Sequence, residues 1–267
     1  MARPWYEATD ETYDRITERL ARRSPEEVER LRAKPEGPDP EARFTDLVGR
    51  YLRSADVVLD VGTGDGEWLM TQVAPRVRHA LGVDVAGRRL WQALQQRAAL
   101  GSRNVSLLLA DARRLPLADD AVDVVISRRG PLTVDERSFA EGCRLLRRKG
   151  LILEITIGEQ DGQEVYEVFG RGQMYGERER GPRLDRLAAM YRAHGLVLME
   201  AESVVTSVYL PGREALTFTL EVTPMVEDYD SERDAALVEG VLARHSTARG
   251  IHVTMHRLIL VARKKGA

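Results

Sequence analysis

Three glycines spaced by single residues, Gly62, Gly64 and Gly66, follow the apolar run that opens at Val57 and closes at Val61. Branched apolar residues that stop abruptly in alternating glycines are what a buried parallel strand needs when it turns sharply into a helix. Loss of every second Cβ lets the backbone approach a ligand closely, and a helix from Asp65 to Arg76 would add unpaired N–H groups at its amino end. Glu67 stands where the dinucleotide fingerprint Gly-x-Gly-x-x-Gly wants its third glycine, so a pyrophosphate cradle is disfavoured. A second apolar run, Ala80-Leu81-Gly82-Val83, ends in Asp84, 22 residues after Gly62 (84 − 62). A carboxylate there can accept two hydrogen bonds from a ribose diol. A third run ends in Leu109-Ala110-Asp111-Ala112. Asp111 can accept from an adenine amino group, and an ion pair to Arg113 or Arg114 is its structural alternative. Two acids at one sheet edge suit a nucleoside with donors at both ends.

Other reactive side chains carry less. Arg128 and Arg129 follow the fourth apolar run and suit an anionic substrate or a cofactor carboxylate, or else an ion pair to surface acids. His252 and His256 are four apart, which on a helix would suggest a metal pair, but they lie in a strand-like run, and no metal is expected. Cys143 is the only cysteine; its helical spacing with Phe139 and Leu146 reads as core, and an intrachain disulfide is excluded.

The elements that must position these groups alternate. Strands are expected at 57–61, 80–83, 105–109, 122–127 and 151–157, separated by helices at 67–76, 87–100 and 134–149. This is the pattern of a parallel sheet with helices on both faces, whose ligands bind outside the carboxyl ends of the strands. Before it, helices are expected at 10–23, from Pro25 to Ala33 behind a Ser24 capping box, and at 41–53. Lys34–Pro40, rich in proline, reads as a linker. After the fifth strand, Gly158 to Gly181 holds six glycines with Tyr166, Phe169 and Tyr175, the composition of a mobile substrate loop. A helix at 183–194, a strand at 196–209, one or two helices between 211 and 245, and a last strand at 256–263 complete the chain. The last strand is expected to pair antiparallel.

The length of 267 residues fits one large domain or a core with an appended lobe, and 43% hydrophobic with 31% charged residues allows a sizeable core. A net charge of −2 provides no global positive field to gather nucleic acid or an anionic membrane. No apolar signal region opens the chain and no window is long and apolar enough for a membrane span, so a cytoplasmic location is expected.

The ordered set Val58-Leu59-Asp60-Val61-Gly62-Thr63-Gly64-Asp65-Gly66, Gly82-Val83-Asp84, Ala110-Asp111-Ala112 and Leu115-Pro116-Leu117-Ala118-Asp119-Asp120-Ala121-Val122-Asp123-Val124-Val125-Ile126-Ser127 resembles the class I methyltransferases that use S-adenosylmethionine. The resemblance spans about residues 41–157. It implies a doubly wound α/β fold with a mostly parallel seven-stranded sheet and an antiparallel last strand. It implies that Gly62, Thr63 and Gly64 pass under the methionine part of the cofactor and that Asp60 buttresses them. Asp84, with Val85 beside it, would hold the ribose; Asp111 and the Ala112 amide would hold adenine; Ser127 would lie near the sulfonium. No catalytic base is assigned, because displacement from an activated sulfonium mainly needs positioning and exclusion of water.

The organisation expected is an amino-terminal helical extension, 1–40, before a cofactor-binding domain, 41–267, with substrate-side insertions at 158–181 and 210–250. Arg128, Arg129, Tyr166, Phe169 and Tyr175 are the expected substrate contacts. The leading function is methylation of a small molecule. A ribosomal RNA base methyltransferase is the alternative, resting on a faint likeness of Thr219–Asp228 to the tail of such enzymes, which typically add a zinc module that one cysteine cannot make. A non-catalytic module that binds S-adenosylmethionine is the third reading. No DNA or membrane partner is expected, and the sequence leaves the oligomeric state open.

Overall fold

The computed structural model describes residues 10–226 and 228–266. Its strands are β1 (Lys34–Glu36), β2 (Val57–Val61), β3 (His79–Asp84), β4 (Val105–Leu109), β5 (Val122–Arg128), β6 (Leu146–Ile157), β7 (Leu196–Leu210), β8 (Ser246–Thr247) and β9 (Gly250–Lys264). Its helices are α1 (Asp10–Ala21), α2 (Pro25–Leu31), α3 (Pro40–Tyr51), α4 (Gly87–Leu100), α5 (Glu136–Leu145), α6 (Gln163–Phe169), α7 (Arg183–Ala193), α8 (Arg213–Val222) and α9 (Ala235–His245). The strands join one mixed sheet in the order β1-β7-β9-β6-β5-β2-β3-β4, with β8 pairing β9. The pairs β2–β3, β3–β4, β2–β5 and β5–β6 are parallel.

The sheet has nine strands where seven were expected. The two extra strands are short: β8 makes a tight hairpin with β9, and β1 pairs antiparallel with Ser207–Tyr209. Lys-Pro-Glu has no strand signal of its own. Its extended form comes from that tertiary pairing. Two further departures have local causes. The helix expected at 67–76 passes through a π turn at Leu69–Val73 and a 3-10 turn at Ala74–Arg76, because Pro75 has no N–H to continue the α ladder. The helix expected to run to Lys149 stops at Leu145, where Leu146 pairs with Val122 and opens β6.

The chain divides into two compact units. One holds Pro40–Ile157, Leu184–Ser203 and the chain from Leu258. Its core gathers Leu59, Val61 and Val83 from β2 and β3 with Val125, Ile152, Phe139, Tyr191 and Leu260. Burial pushes the Cys143 thiol up to about 12, in keeping with a packing role. The other unit holds the described residues up to Asp39, Gly158–Arg183 and Val204–Arg257. Its core gathers Leu31, Val165, Phe169, Val208, Leu216, Phe218, Val241 and Ile251. Residues 1–9 of the expected amino-terminal extension lie outside the described residues. Among the described residues no helix is long and apolar enough to cross a membrane.

Candidate functional site

The site is built where β2, β3, β4 and β5 end. Gly62, Gly64 and Gly66 take φ values of +81°, +61° and +71°, backbone that L side chains rarely adopt. The Gly62 and Thr63 amides both donate to the Val83 carbonyl, at 2.9 and 3.0 Å, which fixes the turn against β3. A Cβ on Gly62 would lie 2.9 Å from Pro131 Cδ and 3.1 Å from Gly130 Cα. The turn therefore lies directly against the loop that comes after β5.

Asp84 is half-buried at the end of β3. Its Oδ2 accepts the Gly64 amide at 2.8 Å and its Oδ1 accepts the Ala86 amide at 2.8 Å. Each carboxylate oxygen has a second lone pair, so two acceptor positions remain for a diol after both backbone bonds are made. The same bonds lock the carboxylate to the glycine turn, which is what a preorganised ribose site requires. Val85, beside it, and Leu109, the β4 residue paired with Asp84, are both exposed apolar side chains at this edge.

Asp60 is buried beneath the turn, and burial raises its carboxyl to about 6, against the opposing effects of the Thr63 hydroxyl and the Arg128 charge. That hydroxyl is itself buried, and among the described residues it makes no hydrogen bond of ordinary geometry. A cradle with positive-φ glycines and an anchored carboxylate has the backbone donors and the acceptor that a nucleoside-bearing ligand would use.

Asp111 takes its structural alternative. Arg113 binds it through the backbone amide, Nε and Nη2 at 2.5 to 2.9 Å, and this guanidinium holds the Asp111 carboxyl below the usual range. Ser127 is fully buried, and its hydroxyl donates to the Val61 carbonyl at 3.4 Å. It ties β5 to β2 behind the glycine turn and does not face open space. Arg128 lies over the Trp68 ring at 5.2 Å and reaches Glu41 at 3.4 Å, and Arg129 reaches the other Glu41 oxygen at 3.2 Å. One carboxylate of α3 thus engages both arginines. Neither sequence spacing nor composition pointed to Glu41. Arg89 was also missed: its Nη1 would lie 3.3 Å from a Cβ on Gly64, so a side chain of α4 reaches the turn.

The remaining expected contacts belong to the second unit. Gly158–Gly181 is not a bare loop, because α6 occupies Gln163–Phe169 and buries Tyr166 and Phe169 in that unit. Tyr175 is 57% exposed. Three of the six glycines have evident structural reasons: Gly162 and Gly170 cap α6 with φ +63° and +64°, and Gly158 lets the buried His256 ring come close. His256 accepts the Gln160 amide through Nδ1 at 3.1 Å, and burial lowers its pKa. His252 and His256 are both on β9, and no group of three His, Cys, Asp or Glu among the described residues could hold a metal ion.

Comparison with known proteins bears on this edge of the sheet. Residues 58–150 match the methyltransferase domain family. A malonyl-[acyl-carrier protein] O-methyltransferase of Methylococcus capsulatus is 32% identical over 106 residues, 38% of this chain and 38% of the relative. The enzyme of the same name from a Marinomonas strain is 27% identical over 179 residues, 64% of this chain and 63% of the relative. The chain thus spans less than two thirds of either relative's length. A crystal structure from Bacillus halodurans C-125, taken for a methyltransferase, superposes with a TM-score of 0.63 at 19% identity over 84% of this chain and 98% of that one. At that identity the likeness shows the fold.

Proposed function

We propose that this chain binds S-adenosylmethionine and methylates a carboxylate on a small acyl acceptor, a reading supported by the match of residues 58–150 to the methyltransferase domain family. The observation that carries the cofactor reading is Asp84, held by the Gly64 and Ala86 amides with acceptor capacity to spare. Gly62, Thr63 and Gly64 would pass beneath the methionine part, Asp84 would take the ribose hydroxyls, and exposed Val85 would flank the base. Asp111 would reach adenine only while sharing its carboxylate with Arg113. The cofactor, when bound, supplies a methyl group on a sulfonium that already activates it for in-line displacement.

A carboxylate acceptor needs no catalytic base, since it is ionised at neutral pH and is itself the nucleophile. What the protein supplies is position and exclusion of water. Arg128 and Arg129 already hold one carboxylate, that of Glu41. An acceptor carboxylate would take the place of Glu41 on this pair. The names of the two relatives, each a malonyl-[acyl-carrier protein] O-methyltransferase, support an acyl acceptor methylated on oxygen. The test is incubation of the purified protein with S-adenosylmethionine and a malonyl thioester, with the methyl ester read by mass spectrometry. Formation of the ester is expected. Cofactor binding without any ester would overturn the acceptor, and no cofactor binding would overturn both parts.

A further inference from the structure

Glu154 is a fully buried carboxylate in mid-β6, opposite Ser127 of β5 in register. Its Oε1 accepts the Thr133 hydroxyl at 2.5 Å and its Oε2 accepts the Tyr191 hydroxyl of α7 at 2.7 Å. Tyr191 is also fully buried and Thr133 nearly so. Burying a carboxylate is costly unless it is hydrogen-bonded, and an apolar residue of similar volume would fill such a position at lower cost. An apolar residue would not hold Thr133. That residue sits two positions after Pro131, in the loop that lies against Gly62. Gly130 lies closer still to β2, since a Cβ on it would collide with the Val61 carbonyl.

We propose that Glu154 is a positioning residue for the cofactor turn: through Thr133 it clamps the 129–133 loop against Gly62, while Tyr191 anchors the carboxylate from the side of α7. The inference rests on the reading of Gly62–Gly66 as the cofactor cradle. With the clamp released, the loop leaves its place for part of the time, and the apparent affinity falls by the fraction of molecules in which the wall of the cradle is formed. Both hydroxyls donate to the same buried carboxyl group. They differ in what they hold, so their deletion separates a positioning role from a purely structural one.

The experiment compares Thr133→Val and Tyr191→Phe in the full chain, each deleting one hydroxyl, with S-adenosylmethionine titrated calorimetrically at a temperature where all variants are folded. Thr133→Val is expected to raise Kd about tenfold and to speed amide exchange at 129–134 in the ligand-free protein. Thr133→Ser, which restores the hydroxyl, is expected to recover both. Tyr191→Phe is expected to lower Tm while changing Kd by less than about twofold. Equal effects of the two deletions on Kd, or wild-type affinity and loop exchange in Thr133→Val, would overturn the clamp. If Thr133→Val does not fold, Glu154→Gln decides in its place. It keeps the side-chain volume and leaves one oxygen where there were two to accept the hydroxyls, so a rise in Kd of about threefold with faster loop exchange is expected. No change in either would overturn the clamp. Absence of cofactor binding by the wild-type protein would overturn the cofactor reading instead, and loop exchange tests the clamp without any ligand.

Discussion

Two glycine-rich stretches look alike in the sequence and do different things in the structure. At Gly62–Gly66 the positive-φ glycines bend the chain so that the Gly64 amide faces an anchored carboxylate. In Gly158–Gly181 they cap a short helix and admit His256, Tyr166 and Met225 at close range. Composition alone reads both as ligand-facing. Their surroundings distinguish them: the first stretch has Asp84 at the end of the adjacent strand, whereas the second has aromatic residues that its own unit buries. A glycine marks a conformational or steric need, and its neighbours tell whether a ligand or the protein itself has that need.

Alanine at one position in each stretch is the strongest way to break this contrast. Gly158→Ala would drive a methyl group into the His256 ring, which is buried and has no room to retreat. A stability loss of roughly 3 kcal/mol is expected by urea unfolding. Gly62→Ala meets Pro131 and Gly130 and must hold φ near +81°. It is expected to cost about 2 kcal/mol of stability. Only the Gly62 variant is expected also to lose cofactor affinity, by more than about tenfold. Equal loss of affinity in both would erase the distinction between the two stretches.

Asp60 sharpens the comparison through pH. Burial raises its folded-state value to about 6, above the ordinary carboxylate range, so the folded protein binds this proton more tightly than the unfolded chain. The stability this contributes is full below about pH 4 and is lost as pH rises to about 6. Asp60→Asn cannot ionise, and unfolding measured across that window is expected to show a curve flatter than wild type by roughly 2 kcal/mol. Parallel curves would mean that Asp60 titrates normally.

The smallest effect is expected at Gly170, where a Cβ would meet nothing within 4 Å and only φ of +64° resists a side chain. Gly170→Ala should cost about 1 kcal/mol by thermal unfolding and leave cofactor affinity unchanged. A change in affinity there would show that the second stretch does reach the ligand.

The parts of the fold legible in the sequence are those whose signal is local. The apolar run of β2, the run of β4, and α4 up to its left-handed Gly101 cap match their observed bounds. The place of Asp84 at the end of β3 was legible because strand-then-acid at fixed spacing is itself a local pattern. What was not legible depends on residues distant in the chain. β1 is a strand because Ser207–Tyr209 pairs with it, and the Glu41 contacts to Arg128 and Arg129 join residues 87 and 88 positions apart (128 − 41, 129 − 41). The Thr133–Glu154–Tyr191 network draws on a loop, a strand and a helix. Asp111 shows the intermediate case, since both of its partners could be named from the sequence and only the structure selects Arg113.

The central claim is that the carboxylate anchored at the end of β3 holds the cofactor ribose, and calorimetric titration of S-adenosylhomocysteine into wild-type and Asp84→Ala protein tests it most directly. Binding by the wild type and a loss of about 1.5 to 3 kcal/mol in the variant are expected, because hydrogen bonds to a charged acceptor are lost and the Gly64 amide loses its partner. No binding by the wild type, or unchanged affinity in a folded Asp84→Ala, would contradict the account.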